Sequence, residues 1–80
     1  MSESEILLEL QPIFQSVLSN PSLLVSTETT AHDVDEWDSL NHATLIATIQ
    51  RHFKVKFSLF EVLKLKKVGD IIRLIQSSQA

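Results

Sequence analysis

From Ser39 to Phe53 the chain reads Ser-Leu-Asn-His-Ala-Thr-Leu-Ile-Ala-Thr-Ile-Gln-Arg-His-Phe, with no glycine or proline to interrupt it. That stretch constrains the fold more than any other. At about 100° per residue, Leu45, Ile46, Ile49 and Phe53 fall on one arc, which predicts a helix with a single buried face. Leu40, Ala43 and Ala47 form a neighbouring arc, either peripheral core or a docking strip. Asp38 stands immediately before the run, well placed as an N-cap whose carboxylate accepts from the first unpaired amides. Ser39 then lies in the first turn, at the positive end of the helix dipole. An anion attached to its hydroxyl would meet free backbone N–H groups there. Ser39 is therefore a candidate attachment point for a phosphate-bearing group.

The remaining pattern is helical too. Ser2-x-x-Glu5 has the spacing of a capping box. Ile6/Leu7, Leu10, Ile13/Phe14 and Val17/Leu18 then recur every three or four residues, predicting a first helix over about 2–18. Pro12 removes an N–H and crowds the carbonyl of Leu8, so a kink or a late start is expected. Ser58-Leu59-Phe60-Glu61 repeats the capping-box spacing and opens a short helix of about two turns. A last helix begins near Val68-Gly69-Asp70, with Lys67 a weak cap before it and Gln76–Ala80 expected to fray. Between the first two helices, residues 19–38 hold few helix signals. A connection that long is unusual in a small domain. The favoured reading is an ordered loop pinned by Leu23, Leu24, Val25, Val34 and Trp37. Ile46, Ile49, Phe53, Leu63 and Ile72 are the expected core between helices. With one Gly and two Pro in 80 residues, hairpin turns are too scarce for an all-β fold. The expected architecture is all-α: one domain, 1–80, of three main helices, one short helix and a long ordered loop.

Composition excludes several functions. Cysteine is absent, which removes disulfides, thiolate metal sites and thiol catalysis together. No apolar run approaches the length of a membrane span. Met1-Ser2-Glu3-Ser4-Glu5 is acidic where a secretory signal is basic, so a soluble cytoplasmic protein is expected. The net charge of −3 hides an asymmetry. Residues 1–38 hold eight carboxylates and no Lys or Arg, whereas residues 39–80 hold seven cations against Glu61 and Asp70. The two halves can attract each other, and the surface they leave can steer a partner; the two effects are compatible. Lys64, Lys66 and Lys67 lack interleaved aromatics in an acidic protein, so they read as a solvated face with no nucleic-acid partner. His32, His42 and His52 are spaced ten apart, without the spacing of a helical metal site. Ser39 and His42 suggest a nucleophilic pair, but no Gly-rich elbow or oxyanion-hole sequence accompanies them.

Helix, long loop, helix opening at Asp38-Ser39-Leu40, short helix, helix: this order resembles an acyl carrier protein over nearly the whole chain. Val34-Asp35-Glu36-Trp37-Asp38-Ser39-Leu40-Asn41-His42 carries the resemblance, supported by Phe53 and by Val68-Gly69-Asp70-Ile71. The resemblance implies a covalent 4′-phosphopantetheine, transferred from coenzyme A to Ser39 by a phosphopantetheinyl transferase. It also implies that Asp38 assists that transfer and that Leu40 touches the transferase. The protein would carry acyl or aminoacyl groups as thioesters on the arm, presenting them to acyl-loading and acyl-processing enzymes as a monomer without catalysis of its own. Leu40, Ala43, Ala47 and Arg51 would form the docking strip. One departure stands out. Fatty-acid carriers have an acidic second helix, whereas the matching positions here hold Thr44, Gln50, Arg51 and His52. Ala47 also stands where a larger apolar side chain is common. A specialised pathway, polyketide or other secondary lipid synthesis, is the expectation, with a peptidyl carrier or a helical adaptor lacking any prosthetic group as alternatives.

Overall fold

The computed structural model describes residues 1–79. Four α-helices follow in order: α1, Glu3–Val17; α2, Ser39–Phe53; α3, Leu59–Leu63; and α4, Val68–Gln79, with one 3-10 turn, Ala31–Asp33, between α1 and α2. The fold is all-α, as the periodicity predicts.

α1 starts where the capping box requires. The Glu5 amide donates to Ser2 Oγ at 3.2 Å, and the Ser2 amide donates back to Glu5 Oε1 at 2.9 Å. Ile6, Leu10, Ile13 and Phe14 form its buried face. Of the two expected effects of Pro12, the late start does not occur: the helix begins at Glu3 and runs through Pro12 to Val17. Pro12 and Leu8 lie on the exposed side, so the carbonyl that Pro12 leaves without a donor sits toward water. Just past the helix, Ser19 takes a left-handed conformation, φ 52°, and lets the Asn20 amide donate to the Gln15 carbonyl at 3.0 Å. Glycine adopts that conformation without the Cβ clash. Ser19→Gly is expected to raise stability by about 0.5–1 kcal/mol, read as a higher urea midpoint at unchanged slope.

α1 packs against both α2 and α4. From α2, Leu45, Ile49 and Phe53 join the central cluster; from α4, Val68, Ile71, Ile72 and Ile75 do. Ile46 is buried as well, outside that contiguous cluster. Leu63 departs from expectation, since it is 71% exposed. With Ser58 as cap, α3 is only five residues long, little more than one turn. Val62 is half-buried, and Leu63, about 100° further round, points out.

The long loop is ordered by bonds that apolar pattern cannot reveal. Val25, Val34 and Trp37 are buried and Leu23 is half-buried, but Leu24 is exposed and does not pin it. The side-chain amide of Gln11 does much of that work. Its Nε2 donates to the Val25 carbonyl at 2.6 Å while its Oε1 accepts from the Val25 amide at 2.9 Å. Gln15 Nε2 adds a bond to the Leu23 carbonyl at 2.9 Å. Each replaces a backbone partner that an irregular segment lacks.

The same loop caps α4. The Val68 amide donates to the Thr29 carbonyl at 3.0 Å and the Gly69 amide to the Thr27 carbonyl at 2.8 Å. Asp70 Oδ2 reaches back to the amides of Lys66 and Lys67, at 3.0 and 3.3 Å. The expected weak start is therefore a well-bonded one. Gly69 is required at this crossing, because a Cβ there would lie 2.9 Å from the Thr27 carbonyl oxygen. The expected fraying from Gln76 is not observed: α4 continues through Gln79, and Gln76 Nε2 donates to the Met1 carbonyl at 3.5 Å. Ala80, the last residue of the expected frayed end, lies outside the described residues.

Candidate functional site

The first turn of α2 forms as its sequence predicts. Asp38 is extended, φ −96° and ψ −177°, and its Oδ1 accepts from the Asn41 amide at 2.8 Å. Its carbonyl accepts the His42 amide at 2.8 Å, closing the first helical bond. The amides of Ser39 and Leu40 precede the regular ladder, so they remain available to an acceptor outside the helix. Ser39 is exposed at this end, as are Asp38 and Leu40. Asn41 Nδ2 donates to the Glu36 carbonyl at 2.8 Å, holding the loop residue two before Asp38 against the helix.

Ser39 lies on the wall of a groove of about 490 Å³. Trp37, Asp38 and His42 line it beside Ser39; Ala31, His32, Leu65 and Lys66 line it from the loop and from the segment before α4. Trp37 fixes the shape of this groove. Its ring is buried and meets Phe14 of α1 edge-on, with centroids 5.2 Å apart. Packing of the loop onto the bundle through Trp37 was legible in the sequence. Its second role was not: Trp37 Nε1 donates to His42 Nδ1 at 2.9 Å. An indole N–H can only donate, so Nδ1 must accept and a neutral His42 carries its proton on Nε2. Partial burial holds the His42 pKa below its ordinary value, and a donor aimed at Nδ1 favours the same neutral form.

That tautomer decides the chemistry. A base for the Ser39 hydroxyl needs a free nitrogen lone pair. The lone pair of His42 faces Trp37, and the other nitrogen already bears hydrogen, so the pair is not set up for nucleophilic catalysis. His52 is placed elsewhere, its Nε2 2.7 Å from Glu9 Oε1, where it ties α2 to α1. Among the described residues, no three His, Asp or Glu side chains converge on a possible metal ion, and no helix is long and apolar enough to cross a membrane.

The other candidate residues lie along α2. Leu40, Ala43, Ala47 and Arg51 are all exposed, and their spacing puts them on one side of the helix. No carboxylate occurs between Ser39 and Phe53. The acidic residues near Ser39 come instead from the loop, where Asp35, Glu36 and Asp38 are exposed.

The chain is a short four-helix domain with an exposed serine at the N-terminus of its second long helix, beside a groove, an arrangement that a small carrier domain would need. No family model matches the chain, and no curated protein matches it. Among solved structures, the solution NMR structure of a holo acyl carrier protein from Geobacter metallireducens is similar to it at 44% identity, over 91% of this chain and 84% of that one, with a TM-score of 0.85. The chain belongs to the acyl carrier protein family.

Proposed function

We propose that Ser39 carries 4′-phosphopantetheine and that the protein tethers acyl intermediates on it as thioesters for a specialised biosynthetic pathway. The observation that carries this reading is the exposed Ser39 at the start of α2, opening onto the groove walled by Trp37, His42, Leu65 and Lys66. The residues present fit such a group. A phosphodiester on Ser39 Oγ would lie by the free amides of the first α2 turn, in a groove that Lys66 also lines. The apolar sides of Trp37, Leu65 and Ala31 suit the alkyl and amide portions of an extended arm. When bound, the arm supplies the thiol that a chain without cysteine lacks.

Asp38 then has two tasks: it caps α2 through Asn41, and its carboxylate stands next to the reacting hydroxyl where a transferase would hold its metal ion. Leu40, largely open to solvent, offers that transferase an apolar contact one residue beyond the serine. Neutral His42 takes no proton from Ser39, in keeping with a protein that presents its cargo and leaves chemistry to its partners. The absence of carboxylates along α2 supports partners other than those of ordinary fatty-acid synthesis. General elongation enzymes turning over the acylated protein at ordinary efficiency would contradict that part of the reading.

Intact mass after incubation with coenzyme A and a broad-specificity phosphopantetheinyl transferase tests the attachment. A single addition equal to phosphopantetheine is expected. An unchanged mass, under conditions that modify a control carrier fully, overturns the proposal in favour of an adaptor without prosthetic group.

A further inference from the structure

The large apolar side chains that α3 leaves in water are grouped. Leu59, Phe60 and Leu63 are 72%, 78% and 71% exposed, and their i, i+1, i+4 spacing gives them one outward face on the helix. Single exposed leucines carry no meaning, but three large residues on one short helix form a patch. On α2, Leu40 is 78% exposed beside Ser39.

The chain on either side of this patch is rich in cations. Between Ser39 and Lys67 the chain holds Arg51, Lys54, Lys56, Lys64, Lys66 and Lys67 against the single carboxylate Glu61. Glu61 is engaged in its own helix, its Oε1 accepting from the Ser58 amide at 2.9 Å. A second groove, of about 540 Å³, lies where α2 passes into the following loop and is lined by Ala47, Gln50, Arg51, Lys54, Val55 and Lys56. It holds three cations and no carboxylate. Gln50 sets this corner rigidly: its carbonyl accepts the Val55 amide at 3.0 Å and its Oε1 accepts the Phe57 amide at 2.8 Å. The ion pairs among the described residues join His52 to Glu9, Lys67 to Glu28 and Arg73 to Asp70. Arg51, Lys54, Lys56 and Lys64 take part in none of them.

We propose that the outward face of α3, together with the Arg51–Lys54–Lys56 groove, is the docking surface for an acyl-loading or acyl-transferring enzyme whose carrier entrance is an apolar slot rimmed by Asp and Glu. Phe60 is its anchor, and the cations set its orientation and encounter rate. This rests on the reading that Ser39 bears the arm, since an enzyme reaching that arm must cover Leu40 and its neighbours. An anionic bilayer also matches an apolar patch edged with lysines. Asp35, Glu36 and Asp38 are exposed beside Ser39 and would be repelled by it, whereas a folded partner can meet both signs of charge.

The test uses the full chain after arm addition, with intact mass recording that step separately. Three probes are compared by titration: a purified acyltransferase with a carboxylate-rimmed carrier entrance, one with a Lys/Arg-rimmed entrance, and phosphatidylglycerol vesicles. The carboxylate-rimmed enzyme is expected to bind at least about tenfold more tightly than the other, with affinity falling as salt rises. Arg51→Glu/Lys54→Glu/Lys56→Glu should weaken it about tenfold or more and flatten the salt dependence. Phe60→Ser should weaken it by a similar factor and leave the salt dependence intact. Phe60 is exposed, so far-UV circular dichroism should show an unchanged fold. Equal or tighter binding to the basic-rimmed enzyme, indifference to both variants, or salt-sensitive binding to vesicles alone overturns the proposal. Loss of arm addition with docking intact instead refutes the Ser39 reading.

Discussion

Ser39→Ala is expected to abolish arm addition completely while leaving the bundle folded. The two halves of that outcome have separate causes. The hydroxyl oxygen is the atom that would bond to phosphorus, and a methyl group offers no substitute, so the loss is all-or-none. Ser39 is exposed and Asp38, not Ser39, caps α2. Alanine in a first helical turn is well tolerated, so stability should change by no more than about 0.5 kcal/mol. In a domain this size that corresponds to a melting shift of only about 2–4 °C. Intact mass and thermal denaturation on the same sample read both halves. A residual addition to the alanine variant would move the attachment elsewhere, and a collapse of folding would make Ser39 structural.

Asp38 needs a finer dissection, because capping and assistance to the transferase coincide in one side chain. Asp38→Ala removes the acceptor for the Asn41 amide and should cost about 1 kcal/mol. Asp38→Asn keeps an oxygen acceptor at that position, since asparagine caps as well as aspartate, but removes the charge. Slow arm addition by Asp38→Asn at near-native stability would therefore isolate the carboxylate's role. Wild-type rates in that variant would leave Asp38 a cap alone.

What the sequence made legible was local. α2 and both capping boxes are patterns of residues three or four apart, and each formed at the position its residues dictate. The misread features share a different cause. The start of α4 looks weak from Lys67 alone, because its acceptors are carbonyls of Thr27 and Thr29, about forty residues earlier. Leu63 looks like core because apolar spacing does not state how long a helix will be; α3 stops after one turn and turns it outward. Gln11 and Gln15 carry no signal in the apolar pattern, yet their i, i+4 spacing along the edge of a buried face is what brings two amides to the loop. Tertiary geometry decides whether such a side chain meets water or an unpaired backbone. The local geometry was legible too: Asp38 caps α2, and Ser39 and Leu40 stand exposed in its first turn. The Trp37–His42 bond was hidden because its donor lies in the loop and its acceptor on the helix, and hydropathy does not report a pairing of side-chain nitrogens.

That bond gives the second large effect. Trp37→Ala removes a buried ring packed edge-on against Phe14 and is expected to cost about 3–5 kcal/mol, a large share of what holds so small a domain together. Trp37→Phe separates packing from hydrogen bonding. It restores most of the apolar volume but leaves His42 Nδ1 without its donor, at a cost of about 1–3 kcal/mol. The two variants also differ in what they do to protons. In the native fold His42 titrates below its ordinary 6.5, so between that value and the lower folded one the unfolded chain binds more protons. Stability from this residue is thus fully present above about pH 6.5 and is lost as pH falls toward the folded pKa. Protonation also puts a hydrogen on Nδ1, facing the indole donor, so acid should loosen Trp37 and the groove wall with it. In Trp37→Phe the donor that favours neutral imidazole is gone, and the His42 pKa should rise toward its ordinary value. NMR titration of the His42 ring, run with urea unfolding from pH 7.5 down to pH 5, reads both consequences. A His42 pKa unmoved by Trp37→Phe would mean that burial alone sets it, and the indole would then be a packing residue only.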